Sequence, residues 1–160
     1  MRTPLVILAA ATAFAVAAPP ASAEIVVNRS IAGVSLGMSQ EEVLDLLGSP
    51  DRNITNPAFD TTYTYLSRGL RVTFAPNGDT NDVTNVSVRR RAERTASGVG
   101  VGSTYRAMRA GVSGERCVRA PNRRHRWCSV IVRGPLRHTT FVISSSNRVL
   151  EVLIGYRENA

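Results

Sequence analysis

Two stretches of the 160-residue chain carry side chains that could do chemistry. The first, ERCVRAPNRRHRWC at residues 115–128, gathers Arg116, Arg119, Arg123, Arg124, His125, Arg126 and the single Trp, Trp127, around two cysteines, Cys117 and Cys128. Guanidinium forks suit carboxylates and phosphates, and Arg and Trp are the side chains most often found as interface hot spots. A loop closed by a disulfide loses less entropy on binding. Arg119, Arg123, Arg124, His125, Arg126 and Trp127 are therefore the partner-binding candidates; the alternative is a solvated turn whose Trp belongs to the core.

The second stretch, GVSLG at residues 33–37, fits the G-x-S-x-G pattern of a hydrolase nucleophile. A nucleophile elbow needs a strand before its Ser and a helix immediately after it. Here the helix start falls at Ser39, four residues past Ser35, and only His125 and His138 could serve as base. Ser35 is better placed in a loop before the helix, and no catalytic residue is expected. No phosphate-binding loop, dinucleotide fingerprint or zinc-protease motif occurs, so no cofactor is expected. A metal site would have to combine the cysteines with His125 and His138 at no recognised spacing.

The surroundings of these residues set their compartment. Arg2, the apolar run LVILAAATAFAVAA and Ala21-Ser22-Ala23 read as a secretory signal over residues 1–23, cleaved before Glu24. That run is shorter than the roughly 20 residues a membrane span needs, and no comparable run follows it, so no transmembrane anchor is expected after signal removal. Removing 23 of 160 residues leaves 137, which suits one domain with a real core. Outside the cytoplasm, Cys117 and Cys128 are expected to pair.

Charge is divided between the halves. Residues 24–88 hold four Arg against eight Asp and Glu, a net of −4, whereas residues 89–160 hold fifteen Arg against four acids, a net of +11. The basic half suits an acidic protein or an anionic envelope polymer as partner. Nucleic acid is not expected, because the chain is exported and only Tyr105 and Trp127 offer stacking surfaces in the most basic region. The run Arg89, Arg90, Arg91 and Arg94 either solvates a linker or docks on the acidic first half.

Elements that must position these residues repeat along the chain. GVSLGMSQEEV (33–43) aligns with GVGVGSTYRAM (98–108) at an offset of 65, and VTNVSV (83–88) with VLEVLI (149–154) at an offset of 66. Two matches at almost one spacing point to a duplicated unit. In the first unit, Ser39 and Glu42 form a capping box, and Val43, Leu46 and Leu47 make one apolar stripe that ends at Gly48 and Pro50. Glu41, Glu42 and Asp45 form its solvated face. TTYTYL, LRVTF and VTNVSV then alternate at period two, as a three-stranded meander would. The second unit follows with a short helix near residues 104–110, the strand CSVIV, TTFVIS and RVLEVLIGY. Its last strand would carry Leu150, Val152, Ile154 and Tyr156 on one face. In this plan the disulfide joins the helix exit to the first strand.

On Gly37, Met38, Ser39, Val43, Leu47 and Gly48, the stretch LGMSQEEVLDLLGSP resembles the helix signature of SmpA/OmlA (BamE-like) outer-membrane assembly lipoproteins. Duplicated and exported, the chain is still more similar to the β-lactamase inhibitory protein (BLIP) fold. That resemblance covers most of residues 31–156. It implies one antiparallel sheet with helices on one face and a protein partner on the other, concave face. Cys117 and Cys128 fall where a repeat's disulfide would lie. The chain lacks the lipid-anchoring Cys of the lipoproteins, and its first repeat lacks a Cys pair.

The expectation is thus an α+β single domain over residues 24–160, with repeat 1 over about 31–88, a linker over 89–97 and repeat 2 over about 98–156. Its two tandem helix-plus-meander repeats form one sheet with helices packed on one face. The expected function is secreted, non-enzymatic binding of an extracytoplasmic protein. The alternatives are an enzyme inhibitor of the β-lactamase-inhibitor type and a binder of anionic cell-envelope polymer.

Overall fold

A computed structural model describes residues 24–56, 60–77, 80–120, 124–132 and 137–156. The secretory segment and the candidate Arg123 lie outside the described residues. The described residues open with β1 (Ile25–Val26), β2 (Ser30–Ile31) and β3 (Val34–Ser35), which pair into a small antiparallel sheet of their own. Next come α1 (Gln40–Leu47), β4 (Arg52–Thr55), β5 (Thr61–Tyr65), β6 (Leu70–Asn77) and β7 (Thr80–Val88). The second half holds α2 (Tyr105–Gly111), β8 (Arg116–Arg119), β9 (Arg126–Val132), β10 (Arg137–Ile143) and β11 (Val149–Tyr156). The eight later strands form one antiparallel sheet in the order β4-β5-β6-β7-β11-β10-β9-β8. Among the described residues the fold is thus mixed and mostly β, with two helices, and the expected single sheet becomes a large sheet plus a small one.

Local chemistry explains the helix starts. The Ser39 backbone N–H donates to Glu42 Oε2 at 2.8 Å, and Ser39 Oγ accepts from the Glu42 N–H at 3.2 Å, so two otherwise unpaired donors are satisfied at the entry to α1. Thr104 Oγ1 accepts from the Ala107 N–H at 3.1 Å at the entry to α2. Of the expected apolar stripe of α1, Val43 is fully buried and Leu47 packs on the core, but Leu46 is 47% exposed. A two-turn helix has room for one buried stripe, and Leu46 lies at its margin, against Gly33.

Registers fix which side chains share a face. Tyr63, Val72, Val86, Ile154 and Thr139 lie opposite one another across five neighbouring strands, and Tyr65, Leu70, Val88, Val152, Phe141 and Cys128 form the adjacent row. All are buried, and Ile25, Ile31, Val34, Val43, Val99 and Met108 complete the same core cluster. The small sheet and both helices therefore cover one face of the large sheet, since a helix this short is stable only when its apolar stripe is buried.

The same backbone contacts occur in both halves. The Gly37 N–H donates to Val83 O at 2.8 Å and the Gly102 N–H to Val149 O at 2.7 Å; in return, Val83 N–H donates to Met38 O at 2.8 Å and Val149 N–H to Ser103 O at 2.9 Å. Gly37 and Gly102 share left-handed φ values of 88° and 89°, where a side chain would be strained. Both register shifts also coincide: the ladder skips Thr84 between β6 and β7, and Leu150 between β10 and β11. The second bulge corrects one expectation. Val152 and Ile154 face the core, but Leu150 is the extra residue of the bulge and is 43% exposed.

Each half contributes four strands to the sheet, not the three expected. β4 and β8 are its two edges, and nearly all their residues are exposed, so neither carries a hydrophobic alternation. Cys117 lies within β8 directly opposite Cys128 of β9, and the two form a disulfide. The crosslink thus joins two paired strands, correcting the expected link between helix exit and first strand.

The basic linker docks on both halves. Arg90 Nη1 donates to Ser67 O at 3.0 Å, Arg94 Nη1 to Ser103 Oγ at 3.2 Å, and Arg89 pairs with Glu151 at 3.0 Å. These side chains meet carbonyl and hydroxyl oxygens and one acid of the second half, Glu151, rather than the acids of the first half.

Candidate binding face

The face of the large sheet opposite the helices carries no covering element among the described residues. Three rows cross it. Val118, Trp127, Val142 and Glu151 face one another from β8 to β11. The next row runs the full width of the sheet, from Arg52 through Thr64, Arg71, Ser87, Leu153, Thr140 and Ser129 to Arg116. A third begins at Ile54, passes Thr62, Thr73, Asn85, Gly155 and His138, and ends at Ile131.

This face is chemically graded. Its centre is rich in hydroxyls that bond within the sheet, as Ser129 Oγ and Thr140 Oγ1 do at 2.7 Å, so few polar groups need be stripped of water by a partner. Large apolar groups concentrate on the second half: Val118 is 59% exposed, Trp127 42% and Ile131 42%. Trp127, Val142, Leu150, Leu153, His125 and His138 line a depression of about 700 Å³, with Arg89 and Glu151 at its margin. Two further depressions, of about 560 and 170 Å³, adjoin it through His138 and Arg89 respectively. Together they make an interrupted trough along the sheet.

Arg89 and Glu151 form the ion pair beside Trp127, and the carboxylate's hydrogen bond holds the guanidinium pKa above its ordinary value. With Arg89 66% exposed, solvent screening keeps the pair's contribution to stability within about 1 kcal/mol. Gly155 lies at the floor of the face, where a Cβ would come within 3.0 Å of Asn85 Nδ2.

The sequence candidates do not form one patch. Arg126 and Trp127 are consecutive in a strand, so they point to opposite faces. Trp127 and the half-buried His125 reach the open trough. Arg126 instead turns to the helix side, with its guanidinium 4.6 Å from the Tyr105 ring centroid. Arg119, opposite Arg126 in β8, is exposed on that same side. Arg124 is exposed in the turn before β9. The described ends of the stapled segment are thus the paired strands β8 and β9, which present two faces rather than one loop surface.

Sequence reasoning missed Leu150, Leu153, His138 and the Arg89–Glu151 pair as parts of the face. The alternation of Glu151 and Leu153 with buried Val152 and Ile154 was the available signal. Ser35 lies inside β3, with its N–H directed at Met38 Sδ at 3.1 Å, and α1 begins five residues later. It does not occupy a strand-to-helix elbow. Among the described residues, no group of three or more His, Cys, Asp or Glu is arranged to hold a metal. No described helix is long and apolar enough to cross a membrane.

No protein-family model matches the chain, and no curated protein matches it. Solved structures do. One is a DUF4309 family protein, YjgB, from Bacillus subtilis, with a TM-score of 0.52 and 15% identity over 79% of this chain and 84% of that one. Another is an extracellular protein containing a SCP domain from Bacillus anthracis, with a TM-score of 0.53 and 12% identity. That match covers 76% of this chain and 44% of the other, so the chain spans less than half the length of that protein. At these identities the likeness is one of fold alone.

Proposed function

We propose that the chain is an exported, non-enzymatic binding domain that holds an extracytoplasmic protein on its open sheet face, centred on Trp127. One observation carries this reading: a sheet face uncovered among the described residues, whose apolar row, exposed Val118 and Trp127 with half-buried Val142, runs into a trough edged by an ion pair. Contiguous exposed apolar surface with a polar rim is the usual composition of a protein interface. The disulfide, the secretory segment and the likeness to a protein described as extracellular support an extracytoplasmic setting.

The domain is, in this reading, two copies of one unit, at about 31–88 and 98–156, joined by the linker 89–97. Recurrence of the Gly37 and Gly102 contacts and of both bulges supports duplication. This architecture also favours the second reading, inhibition of an enzyme by the same face, as in the β-lactamase inhibitory proteins that the sequence resembles. Fold alone does not decide between a generic partner and an enzyme.

The test is a pull-down of the mature, oxidised protein from its own culture's extracytoplasmic fraction. The paired substitutions Trp127→Ala and Leu153→Ala should abolish recovery of the partner, while Arg119→Ala with Arg124→Ala should leave it. Recovery that survives the first pair and fails with the second would move the site to the hairpin's basic side.

A further inference from the structure

We infer that a second site, on the helix side of the sheet and away from the open face, binds a phosphate-type oxyanion between Arg106, Arg126 and Arg148. These three line one depression of about 370 Å³ together with Thr104, Ser146 and Asn147. Their side chains come from three separate elements: α2, β9 and the turn before β11. Among the described residues, no acid lines the depression.

Two of the guanidiniums are already oriented, and by neutral groups. Arg126 stacks on Tyr105 at 4.6 Å from the ring centroid, and the Tyr105 hydroxyl is itself held 3.7 Å from Cys117 Sγ. Arg148 Nη1 donates to Gly102 O at 3.0 Å, one bond out of the five N–H donors a guanidinium carries. Arg106 is exposed on the first turn of α2. Among the described residues, no carboxylate pairs with any of the three. Of the described acids of this half, Glu115 is engaged with Arg109 at 2.9 Å and Glu151 with Arg89, while Glu93 is only 2% exposed.

Arg119, directly across from Arg126, adds a fourth positive charge nearby. Like charges gathered without a counter-charge repel one another, and an anion relieves that repulsion while using donors already in place. Tetrahedral oxyanions suit donors arriving from several directions better than a planar carboxylate does. The N-terminal amides of α2 are already taken: Tyr105 N–H donates to Asn147 O at 2.8 Å and Ala107 N–H to Thr104 Oγ1.

Calorimetric titration of the mature, oxidised protein with inorganic phosphate and with a synthetic poly(glycerol phosphate) tests the site. Both should bind, and Arg106→Ala and Arg148→Ala should each weaken binding at least tenfold, while Arg52→Ala, at the far edge of the sheet, should change it less than twofold. Much tighter binding of the polymer per phosphate group would identify an envelope polymer as the source; equal affinity would identify a free phosphate. Equal affinity for polyglutamate, no heat with either phosphate ligand, or an Arg106→Ala variant that behaves like Arg52→Ala would overturn the assignment. Because Arg106 lies away from the trough, its substitution should leave the pull-down partner in place.

Discussion

Breaking the Cys117–Cys128 crosslink gives the most quantitative check on how the second half is held together. The two residues are eleven apart in sequence, and loop-closure entropy for a ring of that size amounts to about 3 kcal/mol. β8 is an edge strand tied to β9 by four residue pairs, with most of its residues exposed, so little other burial compensates for losing the bond. Cys128 is fully buried in the core cluster, which makes the choice of perturbation matter. Mild reduction leaves both sulfur atoms in place and removes only the constraint. The double variant Cys117→Ala with Cys128→Ala also deletes buried sulfur, which should cost about 1 kcal/mol more. Urea titration should show the midpoint falling in step with a loss of about 3 kcal/mol on reduction, or roughly 10 °C in Tm for a domain of this size. Amide exchange should speed up first in β8 and its pairing partners in β9. A loss below about 0.5 kcal/mol on reduction, with the full effect appearing only in the Ala variant, would show that sulfur packing rather than the crosslink stabilises this hairpin.

Two further predictions concern local chemistry in each half. Ser39→Ala removes one side of the capping box and should lower stability by about 1 kcal/mol in denaturant titration, with Thr104→Ala showing a similar loss at α2; a neutral result at both would refute the capping account. Glu93 is buried, its Oε2 has no hydrogen-bond partner among the described residues, and desolvation raises its carboxyl above the ordinary value of 4.5, with Arg68 opposing the rise. Its neutral form is therefore the one the fold favours: this contribution is fully present below pH 4.5 and is lost as pH climbs through the raised value. Glu93→Gln should then gain stability over the native protein between pH 5 and 8 and show no gain near pH 4, whereas parallel stability curves for the two proteins would contradict the shift.

The parts of the fold legible in the sequence were those with a local physical signature. Ser39 with Glu42, the alternation from Thr61 to Tyr65, and the matched glycines at 37 and 102 each state a backbone requirement in nearby residues. Edge strands lack such a signature. Arg52–Thr55 and Arg116–Arg119 bury almost nothing on either face, so only their partners in β5 and β9 make them strands. The short strands of residues 25–35 have the same difficulty, since two-residue ladders leave no period to detect. The geometry of the candidate site was hidden for a related reason. Read as a loop, residues 115–128 place their arginines and Trp127 together; paired in β8 and β9, Arg116 and Trp127 face one side and Arg119 and Arg126 the other, by the period of two. Leu150 illustrates the remaining gap, because a bulge one residue long reverses the side a chain faces and leaves no mark in composition.

The central claim is that the partner lies on the open sheet face. A photoreactive residue placed at Leu150, 43% exposed beside Trp127, can be compared with one placed at Leu44, 36% exposed on α1 across the sheet. With the recovered partner present, irradiation should crosslink it through position 150 and not through position 44. Crosslinking through position 44 alone would put the partner on the helices and contradict the account.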